Sequence, residues 1–147
     1  MKVELKSIKI HDDLSEETCC FTATVYLDGK RAGTVENTGK GGENFYSWKD
    51  RVKGEAFIKW AATLPPCESH YGPLTMDADL YISELIEKGE TAKLVKRYTK
   101  KGFIVFRCAG DDKGAFRHVD TRTGTVAGAE KWVRSQYPNI EEIHIPA

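Results

Sequence analysis

The chain has 147 residues, the usual size of one globular domain, and its 22 basic residues balance 22 acidic ones. A formal net charge of zero excludes a protein that is basic or acidic over its whole surface, as many nucleic-acid binders and nucleic-acid mimics are. The alternating N-terminus has no signal-peptide run and no segment has the roughly 18 consecutive apolar residues of a membrane span, so we expect a single cytoplasmic domain over residues 1–147.

Three strands are predicted at the N-terminus. Apolar residues alternate along Val3–Ile10 with a change of phase at Ser7, which indicates a strand with a bulge. Clean alternation over residues 18–27 predicts a second strand with one buried face. Asp28-Gly29 supplies the positive φ angles of a two-residue turn, so residues 30–36 are expected to return as the third strand.

Three helices are predicted in the middle of the chain. Apolar side chains recur at helical spacing over residues 52–64, which indicates the first helix. Thr75 or Asp77 is a suitable cap for a second helix, and Gly89 is expected to end it. Residues 91–101 then form a third helix.

The C-terminal part combines strands with one more helix. Residues 103–107 and 116–119 indicate a hairpin, Thr125 begins a helix, and the isoleucines of residues 140–145 indicate a closing strand. The order β-β-β-α-α-α-β-β-α-β does not alternate strand and helix, as a doubly wound sheet would. The sequence therefore predicts an α+β fold with a mostly antiparallel sheet and helices on one face.

A segment rich in glycine and aromatic residues follows the N-terminal hairpin. Consecutive amides of a glycine-rich loop can bind an anion, and aromatic rings can contact a base or a protein. The phosphate-loop motifs fail, because Gly41 replaces the Ser or Thr required after Lys40 and Asn44 stands where a third glycine is required. We predict a partner- or ligand-binding loop, with a purely structural turn as the alternative. Its candidate residues are Asn37, Gly39, Lys40, Gly41, Gly42, Glu43, Asn44, Tyr46 and Trp48.

Short motifs within residues 12–46 carry a resemblance. They are Ser15-Glu16-Glu17-Thr18, Asp28-Gly29-Lys30 and the Asn-x-Gly-x-Gly-Gly run that begins at Asn37. In this segment the chain resembles the opening of a group of small bacterial and phage proteins that has no established activity. The resemblance implies the cytoplasm of a bacterium or of an infected host cell. It also groups Glu16 and Glu17, an acidic edge, with the loop glycines as a shared surface.

The predicted third helix is strongly basic. Its cations are spaced three or four residues apart and therefore form one stripe, which can follow a phosphate backbone. A solvated helix face and a surface for an acidic protein are the alternatives. The stripe consists of Lys93, Lys96, Arg97, Lys100 and Lys101.

Patterns for catalysis and metal binding are sparse. Cys67 and His70 have no second pair of ligands at zinc spacing, and no Ser/His/Asp or HExxH pattern is present. The four cysteines are scattered except for the adjacent Cys19 and Cys20, which is a poor disulfide framework, so thiols are expected. We predict no catalytic residue, no metal and no cofactor.

These features favour a small intracellular binding protein that is not an enzyme and that has a protein partner. In a phage or mobile-element setting, such a protein is an accessory or counter-defence protein that binds and inhibits a host factor. One alternative is a nucleic-acid-binding module that uses the basic helix 91–101. Another is nucleotide or small-molecule binding through the loop from Gly39 to Gly42.

Overall fold

The computed structural model describes residues 1–69, 71–112 and 114–147, and over these residues the fold is α+β with antiparallel sheets, as predicted. The chain divides into two compact units, unit 1 (Met1–Ile86) and unit 2 (Glu87–Ala147). The strands are β1 (Val3–Ile10), β2 (Phe21–Leu27), β3 (Lys30–Asn37), β4 (Phe45–Trp48), β5 (Cys67–Ser69), β6 (Gly72–Leu74), β7 (Phe103–Cys108), β8 (Arg117–Asp120) and β9 (Ile140–His144). The helices are α1 (Arg51–Ala61), α2 (Ala78–Lys100) and α3 (Val126–Gln136).

Unit 1 is built on a four-stranded antiparallel sheet of order β1-β2-β3-β4. Every second residue of β2 is buried, so one face of the sheet forms the core and the other meets solvent. Phe57 of α1 and Ile82 of α2 pack in the same buried cluster as Val25, which places both helices on that face. The short strands β5 and β6 form a separate hairpin.

The bulge and the hairpin turn predicted for the N-terminal strands are confirmed, whereas the second strand begins at Phe21 and not at residue 18. The register between β1 and β2 breaks between Lys6 and Lys9, and Ser7 has a φ of 53°, so the change of phase is a bulge. Asp28 and Gly29 have φ angles of 50° and 83°, the two positive values that this hairpin turn requires.

Unit 2 contains a three-stranded antiparallel sheet of order β8-β7-β9 and the second half of α2. Ile104 and Phe106 of β7 form a buried cluster with Val133 of α3 on one face. Phe103 alternates with them and contacts Tyr98 of α2, with ring centroids 5.6 Å apart, on the other face. The prediction of helices on one face is therefore wrong for unit 2, whose sheet lies between two helices.

The predicted element order is also wrong. α2 is one continuous helix through Gly89, where two helices were expected, because the cost of a glycine in a helix is only about 1 kcal/mol relative to alanine. Strand β4 and the hairpin β5–β6 were not predicted. The described order is β-β-β-β-α-β-β-α-β-β-α-β.

None of the helices in the described part of the chain has both the length and the apolar composition needed to cross a membrane. The four cysteines are thiols.

Candidate functional site

The predicted binding loop, residues 37–44, is organised around the side chain of Asn37. This residue ends β3 and is only 6% exposed. Its Oδ1 accepts hydrogen bonds from the Thr18 hydroxyl at 2.6 Å and from the Gly39 N–H at 2.9 Å. Its Nδ2 donates to Asn44 Oδ1 at 3.0 Å and to the Gly42 carbonyl at 3.4 Å. One side chain therefore holds both ends of the loop.

The acidic edge lies against this loop. The carbonyl oxygen of Gly39 accepts the N–H groups of Glu16, Glu17 and Thr18 at 2.8, 3.0 and 3.3 Å. Gly41 has a φ of 87°, and a Cβ at that position would lie 2.6 Å from a carboxylate oxygen of Glu17. The structure thus brings together the residues that the resemblance grouped.

The same contacts weigh against an anion site in the loop. The N–H of Gly39 already donates to Asn37, and the N–H of Gly41 donates to the Thr18 hydroxyl at 3.3 Å. The carboxylate of Glu17 beside Gly41 would also repel a phosphate. The nucleotide-binding alternative therefore gains no support from the loop geometry.

Tyr46 and Trp48, the aromatic candidates of the loop, pack against the core of unit 1. Their rings are stacked 5.3 Å apart, and Trp48 meets the edge of Phe57 at 6.0 Å. The Trp48 ring also covers Gly54 of α1 so closely that a side chain there would collide with it. These contacts place part of the Trp48 ring against the core of unit 1, and its contact with a ligand stays a prediction.

A partly buried hydrogen bond joins β4 to α2. The hydroxyl of Tyr46 donates to Asp79 Oδ1 at 2.6 Å, and the N–H of Asn44 donates to Asp79 Oδ2 at 3.1 Å. Burial raises the pKa of Tyr46 well above its ordinary value, and the Asp79 carboxylate raises it further. Tyr46 therefore stays protonated and acts as a donor within the fold. Over residues 37–45 the exposed side chains are Thr38, Lys40, Glu43 and Phe45.

The predicted basic stripe lies in unit 2, with four of its cations on the second half of α2 and Lys101 in the turn just after it, and all five cations are exposed. Lys93 pairs with Glu90 at 3.3 Å. The other four, which we call the unpaired cations, form no ion pair with a carboxylate of residues 1–69, 71–112 or 114–147. They are Lys96, Arg97, Lys100 and Lys101.

The two units differ in charge. Unit 2 holds twelve Lys and Arg residues against eight Asp and Glu, a formal charge of +4. Unit 1 holds ten against fourteen, a formal charge of −4. The net charge of zero thus hides a basic unit and an acidic one.

An aromatic cluster, consisting of Tyr98, Phe103 and His118, lies at the C-terminal end of α2. The His118 ring is 5.0 Å from Tyr98 and 5.4 Å from Phe103, and His118 is exposed. The guanidinium of Arg122 lies 5.2 Å from the Phe103 ring and pairs with Asp120 at 2.8 Å. Hydrogen bonding from Arg122 lowers the pKa of Asp120 to about 2.

The amino-acid sequence alone did not indicate this cluster. Its members come from α2, β7 and β8, and only the pairing of Val105 with His118 places the rings on one face of the sheet. The alternation of β7 can be predicted from its sequence, whereas the register of β8 against β7 cannot.

Within the described residues, no group of three or more His, Cys, Asp or Glu side chains is arranged to hold a metal ion. Cys67 Sγ lies 3.1 Å from Glu84 Oε1. His70, the other residue of the zinc alternative, lies outside the described residues.

Comparisons of this chain with protein-family models, curated proteins and solved structures give no significant match. The resemblance of residues 12–46 to small bacterial and phage proteins stays a prediction.

Proposed function

We propose that the protein binds single-stranded nucleic acid through unit 2, with the unpaired cations on the phosphates and the aromatic cluster against the bases. One observation carries the proposal. Four exposed cations without carboxylate partners in the described chain lie within one turn of Tyr98, whose ring contacts the exposed His118. We place this activity in the cytoplasm, as the sequence predicts.

The ion pairs of unit 2 support the phosphate-binding role. Its other arginines are largely neutralised at short range, whereas the stripe is left with a local excess of positive charge. A cationic helix face of this kind attracts a polyanion over about 10 Å at moderate salt. The neutralised pairs are Arg107 with Glu141 and Glu142, Arg117 with Asp111, Arg122 with Asp120, and Arg134 with Glu130.

The aromatic cluster favours a single-stranded nucleic acid over a duplex as the ligand. An unstacked base can lie on an exposed ring, and such stacking contributes about 1–3 kcal/mol per base without sequence preference. Bases of a duplex are stacked on each other and do not offer that surface. His118 is the exposed member of the cluster and therefore the ring that we expect a base to contact.

The salt dependence of binding tests the phosphate contacts. We would measure fluorescence anisotropy of a labelled 20-nucleotide oligothymidine from low to moderate salt. The triple variant Lys96→Gln/Arg97→Gln/Lys100→Gln should reduce the slope of log K against log salt by about 2, since each lost phosphate contact on a single strand removes about 0.7. A slope that is flat in the unmodified protein would overturn the proposal.

A matched control comes from unit 1. Lys49, Lys53 and Lys59 are exposed, and replacing all three by glutamine removes the same charge as the stripe variant. This control should keep the slope of the unmodified protein. If both triple variants show the same reduction in the slope, the binding depends on the total charge and not on the stripe.

A single substitution tests the base contact. His118→Ala should weaken oligothymidine binding about five- to tenfold and leave binding to a duplex of the same length unchanged. His11→Ala, at an exposed histidine of unit 1, is the control and should change neither affinity. Equal losses for single strand and duplex would remove the aromatic cluster from the site.

A protein partner, the first hypothesis from the sequence, is the second candidate. Phe45 is 63% exposed on β4, which is an edge strand of the unit 1 sheet, and it follows the loop residues Lys40 and Glu43. An exposed aromatic ring beside an open strand edge is suited to a docking partner. In a phage setting that partner is a host factor, which the protein would bind and inhibit.

A pair of variants tests this candidate. Phe45→Ser should abolish the capture of a stoichiometric protein from bacterial lysate at moderate salt. Val52→Ser, at a side chain of the same unit that is 76% exposed, should retain it. A partner captured equally by both variants does not use Phe45.

A further inference from the structure

Unit 2 contains a half-open cleft of about 600 Å³ between α2 and the face of the sheet opposite α3. This volume lies within the range of small-molecule sites. One wall is the segment of α2 from Lys88 to Thr99. The other wall includes Arg107 of β7, His144 of β9 and Phe116, the residue just before β8. Every described residue that lines the cleft belongs to unit 2.

Apolar side chains line both walls of the cleft, and Thr91 adds a hydroxyl to the helix wall. Ala92 and Val95 line the helix wall, and Phe116 faces the cleft from the sheet side. Thr99 also lines it, but its hydroxyl donates to the Val95 carbonyl at 2.9 Å, so that its polar atom is already used. The apolar body of a ligand would therefore meet hydrocarbon on both walls.

The charges on the sheet wall are paired among themselves. Arg107 forms ion pairs with Glu141 at 3.0 Å and with Glu142 at 3.8 Å. The other carboxylate oxygen of Glu142 lies 2.7 Å from His144 Nε2. This wall offers little net charge to a ligand.

The helix wall is different because its lysines form no ion pair within the described residues. Lys88 and Lys96 both line the cleft, about 12 Å apart along the helix axis at 1.5 Å per residue. Glu87 lines the cleft beside Lys88 and offsets its charge, whereas Lys96 is two turns away from that carboxylate. Lys96 is thus the cation best placed to receive an anionic group.

We infer that the cleft binds an apolar carboxylate, with its hydrocarbon body between Val95 and Phe116 and its carboxylate on Lys96. An apolar cleft with one unmatched cation at its side complements an amphipathic anion of this chemistry. The two proposals share Lys96, but this inference does not rest on nucleic-acid binding, because the apolar lining plays no part in that proposal.

Decanoate is the probe, titrated below its micelle-forming concentration into the full chain and followed by amide NMR shifts. We expect saturable shifts at residues 88–99 and 142–144. Val95→Trp should fill the cleft and weaken binding at least tenfold. Ala92→Phe, at an exposed position of the same wall, is a second filling variant that leaves the sheet contacts intact. Val52→Trp, on unit 1, should bind like the unmodified protein.

The charge of the ligand is tested with 1-decanol, which has the same chain without the carboxylate. Lys96→Gln should weaken decanoate binding about five- to tenfold and leave decanol binding unchanged. Arg97→Gln/Lys100→Gln should reduce oligothymidine binding but not decanoate binding, so the two proposals fail separately. Absence of saturable shifts, or equal decanoate affinity in the two filling variants and the unmodified protein, would overturn the inference. Decanol binding as tight as decanoate binding would overturn its charge component.

Discussion

The Asn37 side chain shows how one polar residue can fix the conformation of a glycine-rich loop. Gly39, Gly41 and Gly42 all have φ angles between 82° and 88°, a region that is costly for residues with a Cβ. The glycines allow these angles, but they do not select them. The selection comes from the four hydrogen bonds of the buried amide of Asn37.

Replacing Asn37 by alanine should therefore destabilise unit 1. The change leaves the Thr18 hydroxyl, the Gly39 N–H and the Asn44 side chain without their partner, and an unsatisfied buried polar group costs about 1–3 kcal/mol. We expect a loss of about 2–3 kcal/mol in the free energy of unfolding, measured by urea denaturation.

Thr34→Ala is the matched control. Thr34 lies on the same strand, β3, but on its exposed face, so its loss should change the free energy of unfolding by less than about 0.5 kcal/mol. If Asn37→Ala is as mild as this control, the loop is held by its backbone contacts with residues 16–18 instead.

The sequence predicted part of this site and missed the rest for a physical reason. The conformational freedom of the glycine loop was predictable because it follows from the local sequence, and the grouping of its glycines with Glu16 and Glu17 was implied by the resemblance. The hydrogen bond between Thr18 and Asn37, which are 19 residues apart, depends on strand register and could not be predicted. The packing of Trp48 against α1 could not be predicted, because an aromatic residue after a glycine loop looks the same in sequence whether its ring meets solvent or a helix.

At the scale of elements, the sequence did not predict the two short strands β5 and β6, and it divided the long helix α2 into two. Strands β5 and β6 have three residues each, too few to show alternation, and β6 contains Pro73. In α2, the residues on either side of Gly89 are good helix formers, and they outweigh one glycine in a helix of 23 residues. Gly89 therefore does not end the helix, contrary to the prediction.

The same substitution in two helices should have opposite effects. Gly89→Ala should stabilise the protein by up to about 1 kcal/mol, because alanine loses less backbone entropy in a helix. Gly54→Ala should destabilise it, because the new Cβ collides with the Trp48 ring and must displace it from α1. Thermal denaturation of the two variants measures both signs.

Tryptophan fluorescence adds a readout specific to the contact. Gly54→Ala should alter the emission of Trp48, whereas Gly89→Ala, far along the chain from any tryptophan, should not. A stabilising Gly54→Ala would mean that Trp48 rotates away at no cost, and its packing role would then be small.

At the scale of the whole molecule, residues 1–69, 71–112 and 114–147 contain two separate buried clusters. The cluster of unit 1 includes Val25 and Val35, and the cluster of unit 2 includes Ile104, Phe106 and Val133. Only α2 belongs to both units, with residues 78–86 in the first and 87–100 in the second. Length and composition predicted one domain, and neither property reports how many cores a chain forms.

Native-state hydrogen exchange distinguishes one domain from two. Val133→Ala should create a cavity that costs about 2 kcal/mol, so the amides of Ile104 and Phe106 should exchange roughly 30-fold faster. The amides of Val25 and Val35 should be unaffected, since they share no buried cluster with Val133. Val25→Ala should give the reciprocal pattern. Equal acceleration of both sets by either variant would show that α2 couples the two cores, and the chain would then unfold as the single domain that the sequence predicts.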